Sequence, residues 1–147
     1  MDRREFIEHA QQLSTGLLVG TSALSATSCA GVPYMMPRGS ASQLVIGIDE
    51  LPPGGVLIQR SEMEWPVFLR QYEEGSFIAL LVRCTHLGCQ PDPVGDRLVC
   101  PCHGSEYGLT GEVLQGPAER PLTRYAVTVE GDDIIVSLGS IDRRETE

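Results

Sequence analysis

The chain has 147 residues, 20 acidic side chains against 11 basic ones and a formal net charge of −9, which bounds it to one acidic domain with a modest core. That balance argues against nucleic acid and anionic membrane surfaces as electrostatic partners, and an acidic surface of this kind chiefly keeps a protein soluble. All 11 basic residues are arginine, and no internal repeat, glycine-rich phosphate loop or hydrolase-like triad is present.

At the N-terminus, Asp2-Arg3-Arg4-Glu5-Phe6-Ile7 resembles a twin-arginine export signal, with paired arginines ahead of an aromatic and an aliphatic residue. Leu13 to Ala30 is moderately apolar and rich in Gly, Ser and Thr. It is short and polar for a membrane span, which takes about 20 predominantly apolar residues, but suits a signal h-region. Residues 1–30 are therefore expected to be a twin-arginine signal or a membrane anchor, the competing reading being an amphipathic helix with a chance Arg-Arg pair. That route carries folded proteins, and export by it is expected to place the domain on the periplasmic side of a bacterial cytoplasmic membrane. Cys29 follows Ala26-Thr27-Ser28, which weakly resembles a lipoprotein cleavage box with Ala26 where leucine is usual. Cleavage with acylation at Cys29 and an uncleaved anchor both stay open, and either tethers the domain.

Residues 31–42 carry the Pro, Gly and Ser punctuation of a linker. From Gln43 onward the pattern turns to short strands broken by turn signals. Leu44 to Ile48 and Val56 to Gln59 bracket Pro52-Pro53-Gly54-Gly55; Val67 to Gln71 and Phe77 to Arg83 follow. Leu98-Val99 leaves a Gly95-Asp96 turn, Val113-Leu114 comes next, and Tyr125 to Val129 with Ile134 to Leu138 reads as a hairpin about Glu130-Gly131-Asp132-Asp133. Trp65 is read as a packing residue. Short alternating runs without helical period predict an all-β sandwich or barrel.

Two loops hold nearly all the chemistry: Cys84-Thr85-His86-Leu87-Gly88-Cys89 and Cys100-Pro101-Cys102-His103-Gly104-Ser105. Each supplies a Cys and a His at tight spacing, Cys84 with His86 and Cys100 with His103, and each carries a further cysteine, Cys89 or Cys102. Two thiolates and two imidazoles suit few metal centres. Four-coordinate zinc is one, and a 2Fe–2S cluster with two Cys on one iron and two His on the other is the second.

These loops resemble the two cluster-binding boxes of the Rieske iron–sulfur proteins. The stretch from Tyr107 through Gly111-Glu112-Val113 to Gly116-Pro117-Ala118 and Pro121-Leu122 is similar to that family's third loop and returning strand. The likeness is specific over residues 76–138 and looser over 43–75, and the connection from His86 to Cys100 is tighter than the family's usual one, as if a hairpin were trimmed. The resemblance implies a Rieske-like antiparallel sandwich or barrel over residues 43–140, with an acidic tail at 141–147. It implies a 2Fe–2S cluster held by Cys84, His86, Cys100 and His103, and a Cys89–Cys102 disulfide tying the loops together. Closing a loop of that length contributes on the order of 3 kcal/mol in the chain-entropy model. Ser105 and Tyr107 stand where the family places hydroxyl donors to a bridging sulfide and to a ligand cysteine sulfur, and Leu87 where a residue shields the cluster from water. Rieske centres as a type are known to span about −150 to +300 mV, against about −400 mV for plant-type ferredoxins. The hydroxyl donors place this centre in the upper part of that range.

The disulfide pair separates the high-potential, quinol-oxidising branch from the ferredoxins of Rieske-type oxygenases, which lack it, and suits a compartment outside the reducing cytosol. The resemblance thus implies one-electron transfer from quinol to a c-type cytochrome beside cytochrome b, in a membrane complex of the cytochrome bc type. In such a complex, a free imidazole nitrogen accepts a hydrogen bond from quinol and takes a proton as the electron arrives, and residues 31–42 act as a hinge or a plain spacer. The chain has no site that closes a reaction alone, so any enzyme activity belongs to the complex. Two alternatives stand beside this reading: the small electron-transfer subunit of a molybdenum enzyme such as arsenite oxidase, and a zinc-stabilised binding module.

Overall fold

A computed structural model of the chain describes residues 31–141. The segment expected as export signal or anchor, Cys29 included, lies outside the described residues, as do residues 142–147 of the expected tail.

The strands in chain order are β1 (Tyr34–Met35), β2 (Gln43–Gly47), β3 (Val56–Ile58), β4 (Val67–Glu73), β5 (Ser76–Leu81), β6 (Asp92–Val94), β7 (Arg97–Val99), β8 (Glu106–Gly108), β9 (Val113–Gln115), β10 (Arg124–Glu130) and β11 (Asp133–Ile141). A single turn of 3-10 helix at Ile48–Glu50 interrupts them, and among the described residues no helix is long and apolar enough to cross a membrane. A seven-stranded sheet runs β1-β3-β4-β5-β10-β11-β2, and a four-stranded sheet runs β6-β7-β8-β9. The all-β expectation holds, and the hairpin about residues 130–133 is the β10–β11 turn, with Glu130 opposite Asp133.

The central strands explain the arrangement. Because successive side chains alternate faces, Val56, Ile58, Val67, Leu69 and Ala79 point into one core, which Leu44, Ile46, Ile134 and Val136 complete. Their neighbours Leu57, Phe68, Ile78 and Leu80 point into a second core, with Val82, Leu98, Tyr107, Ala118 and Leu122. Strands buried on both faces read as unbroken apolar runs, which is what Val-Leu-Ile and Val-Phe-Leu are. The second core joins the large sheet to the small one, and Cys84 and Cys100 belong to it.

Two expectations are modified. The stretch expected as a linker attaches to the sheet over part of its length: Tyr34 and Met35 pair in parallel with Leu57 and Ile58, and Arg38 bridges Val45. Tyr34 also accepts a hydrogen bond at its hydroxyl from Gln90 Nε2 at 2.6 Å, just past the first cysteine–histidine loop. The short connection from His86 to Cys100 keeps a hairpin after all, three residues per strand, with Val94 opposite Arg97.

Candidate metal centre

The first loop leaves β5 and the second joins β7 to β8, so both rise from strands anchored in the second core. Their backbones are built alike. The Cys84 N–H donates to the Cys89 carbonyl at 2.7 Å and the Gly88 N–H to the Cys84 carbonyl at 2.9 Å. In the second loop the Cys100 N–H donates to the Ser105 carbonyl at 2.8 Å and the Gly104 N–H to the Cys100 carbonyl at 3.0 Å. Each turn closes through a residue at positive φ, +85° at Gly88 and +77° at Gly104, a region that residues with a Cβ avoid. The cysteine that opens each loop is thereby held at its base, and the histidine is carried outward.

Cys84 and Cys100 are free thiols, both buried. Cys89 and Cys102 form a disulfide across the two loops. The rings of His86 and His103 meet edge to face with centroids 4.8 Å apart; His103 is exposed and His86 half-buried. Leu87, beside them, is 69% exposed. His86 also forms part of the wall of a groove of about 950 Å³ that presents Leu87, Arg83 and Arg120.

Thiol electrostatics are uneven. Burial pushes the Cys84 thiol up, but hydrogen bonds from the Tyr107 hydroxyl, the His86 backbone N–H, Cys100 and Ser105 outweigh it and hold Cys84 below the ordinary thiol range. Burial pushes Cys100 up, the Cys102 and His103 backbone N–H groups oppose it, and the neighbouring Cys84 adds to the rise. One thiol of the pair therefore yields its proton more readily than the other.

The two hydroxyls expected near the centre both belong to buried residues. Tyr107 places its hydroxyl 3.2 Å from Cys84 Sγ. Ser105 accepts at Oγ from the Ala118 N–H at 3.0 Å, which leaves its own hydrogen free to donate. A third hydroxyl escaped the reading of the sequence. Thr85 donates through its backbone N–H to the Tyr107 hydroxyl at 3.0 Å and through Oγ1 to the Arg120 carbonyl at 2.6 Å. It ties the first loop to the segment after β9; its only signal in the sequence was a hydroxyl residue between a cysteine and a histidine.

Whether these residues fit a bound metal group can be tested on His86. Its Nδ1 is buried and has no hydrogen-bond partner among the described residues, an arrangement that costs about 1–3 kcal/mol unless a ligand takes the lone pair. Two adjacent thiols able to deprotonate, an orphaned imidazole nitrogen and a second imidazole in contact make a two-Cys, two-His donor set. The donor chemistry fits a 2Fe–2S cluster of the mixed type, and equally a tetrahedral zinc ion.

Comparison with known proteins separates those two. The family model described as Rieske [2Fe-2S] domain matches residues 41–126. The cytochrome b6-f complex iron-sulfur subunit of Chlorobaculum thiosulfatiphilum is 33% identical over 143 residues, covering 92% of this chain and 75% of that one. Cytochrome b6-f complex iron-sulfur subunit 2 of Nostoc sp. is 33% identical over 156 residues, covering 93% and 85%. Among solved structures, a chain from the complex of reduced oxygenase and oxidized ferredoxin in carbazole 1,9a-dioxygenase is 23% identical, covers 70% of this chain and 98% of that one, and has a TM-score of 0.55, a likeness of fold alone.

Proposed function

The chain belongs to the Rieske [2Fe-2S] domain family, and from that premise we propose that it takes single electrons from quinol in a membrane cytochrome complex of the b6-f or bc type and hands them to a c-type cytochrome. It carries a 2Fe–2S cluster and transfers electrons. The observation that carries the finer reading is the pairing of buried thiols at Cys84 and Cys100 with two imidazoles 4.8 Å apart, half-buried at His86 and exposed at His103.

In this reading Cys84 and Cys100 hold the cluster from the protein side, and His86 through Nδ1 with His103 holds it from the rim. When bound, the group accepts and releases one electron at a potential above that of an all-cysteine cluster, because two neutral imidazoles replace two thiolates. Everything else is done by the chain. Tyr107 donates toward Cys84 Sγ, and Ser105 keeps a hydrogen to donate, so both favour added electron density and raise the potential. The second nitrogen of an imidazole at the rim receives a hydrogen bond from a quinol hydroxyl and holds the proton that leaves with the electron. Leu87 presents an apolar contact beside it and keeps water away.

Partners and place follow from other observations. The named relatives are subunits of cytochrome b6-f complexes, which favours that assembly over the small subunit of a molybdenum oxidase. Arg3-Arg4 and the apolar stretch after them support twin-arginine export and a tether at the N-terminus. The Cys89–Cys102 disulfide supports a periplasmic setting, since such bonds persist outside the reducing cytosol.

The test is a redox titration of the loaded full chain across pH, followed by electron paramagnetic resonance. The expected result is a potential in the upper part of the Rieske range that falls as pH rises above neutrality. A low potential insensitive to pH would instead describe a ferredoxin-like carrier and overturn the quinol reading.

A further inference from the structure

The Sγ atoms of Cys89, Cys100 and Cys102 all lie within 4.8 Å of one another. Two of them are joined as the disulfide between the loops, and the third is a free, buried thiol. A free thiol at that range from a disulfide is the starting arrangement for thiol–disulfide exchange, which proceeds by attack of sulfur on sulfur.

We infer that Cys100 attacks the loop-bridging disulfide when the cluster is lost, so that the cluster-free chain isomerises into a form that cannot reload. In the step, the Cys100 thiolate forms a bond to Cys89 Sγ and the Cys89–Cys102 bond breaks. Cys102 leaves as a thiolate and takes up the proton that Cys100 gave up. Two thiols and one disulfide become two thiols and one disulfide, so no oxidant or reductant is consumed. Attack at Cys89 is favoured over attack at Cys102, because only Pro101 separates Cys100 from Cys102 and their direct bond would close a small, strained ring. Cys102 is also the exposed member of the bridge, so water solvates it as it leaves.

The product has lost Cys100 as a ligand and presents a new thiol at the surface. The reverse attack of Cys102 on Cys89 restores the starting pairing without any reductant, so the two pairings interconvert and only the fraction with Cys89–Cys102 closed can reload, while a thiol reductant that opens the Cys89–Cys100 bond frees Cys100 as well. The protective part of the inference, that a bound cluster keeps Cys100 from attacking, rests on the ligand assignment proposed above. The exchange itself requires only the three sulfurs.

The experiment uses the full chain, loaded and after anaerobic removal of iron with a chelator. Both samples are incubated, then unfolded in N-ethylmaleimide, and the modified and linked cysteines are located by tandem mass spectrometry, with Cys29 mapped separately. The loaded protein should carry the label on Cys84 and Cys100 and keep Cys89–Cys102. The stripped protein should carry it on Cys84 and Cys102 and contain a Cys89–Cys100 link. A stripped protein that keeps Cys89–Cys102 and labels Cys100 overturns the inference. Cys100→Ser gives a second reading, since its Cys102 should stay unlabelled; label at Cys102 there means another route opens the bridge and also overturns it. Failure of the functional reading would show separately, as a purified chain without iron or acid-labile sulfide, and the mapping of that chain would still decide the exchange.

Discussion

The Tyr107 hydroxyl has three polar neighbours: the Thr85 N–H at 3.0 Å, Thr85 Oγ1 at 3.1 Å and Cys84 Sγ at 3.2 Å. A carbonyl can only accept, so Thr85 Oγ1 spends its hydrogen on Arg120. The Thr85 N–H is a donor as well. The single Tyr107 hydrogen therefore goes to Thr85 Oγ1 or to Cys84 Sγ, and negative charge on the sulfur draws it there, since charge-assisted bonds are the stronger. Burial, followed by donation to Cys84, holds the Tyr107 hydroxyl above its ordinary range, so it stays protonated and available as a donor. Tyr107→Phe removes that donor and keeps the aromatic volume in the core. The cluster should still assemble, with a potential lower by on the order of 50 mV, the one-electron equivalent of about 1 kcal/mol for a lost hydrogen bond. Equilibrium redox titration reads this directly, and an unchanged potential would mean that the hydrogen rests on Thr85 instead.

Each cysteine–histidine loop is a tight backbone turn whose closing N–H belongs to a glycine four residues after the first cysteine. At Gly104 an added Cβ would meet nothing within 4 Å, but φ is +77°, so alanine there is opposed by backbone strain alone. Gly104→Ala should lower stability by about 1–2 kcal/mol, measured as a shift in the urea midpoint of the cluster-loaded chain. No change would show that the loop relaxes at no cost. These loops were legible in the sequence because their side chains announce the chemistry: cysteines and histidines at fixed spacing, with glycine at the turn. The strands β3, β4 and β5 were legible as apolar runs. Other parts were not, for identifiable reasons. Strands β6 and β8 are three residues each, Asp-Pro-Val and Glu-Tyr-Gly, too short for any alternation to register. Strand β1 lies in a Pro- and Gly-rich stretch and exists by pairing with Leu57 and Ile58 over 20 residues away, a long-range contact that overrides local composition. Thr85 escaped because its partner Arg120 is 35 residues downstream.

On the scale of the whole molecule, the two cores share strands β3, β4 and β5 but differ in what lies beyond them. Leu80 is fully buried in the core that also contains Cys84, Cys100 and Tyr107, whereas Ile134 is fully buried in the other, among Leu44, Ile46 and Val136. Truncating either side chain leaves a cavity, and both Leu80→Ala and Ile134→Ala should cost about 2–5 kcal/mol in global unfolding. Their local consequences should part. The cavity at Leu80 opens in the core that contains Cys84 and Cys100, where Gly111 would bring a Cβ within 2.9 Å of the Leu80 side chain, so that core is closely packed there. The cavity at Ile134 lies on the far face of the shared strands. Interiors transmit strain through contact rather than at a distance, so Leu80→Ala should shift the potential and speed cluster loss, while Ile134→Ala should lower the denaturation midpoint and leave the potential where it was. Denaturation and redox titration of the two variants side by side separate the effects. If both lost the cluster equally fast at equal destabilisation, global unfolding alone would govern retention, and the close packing around Leu80 would have no separate role.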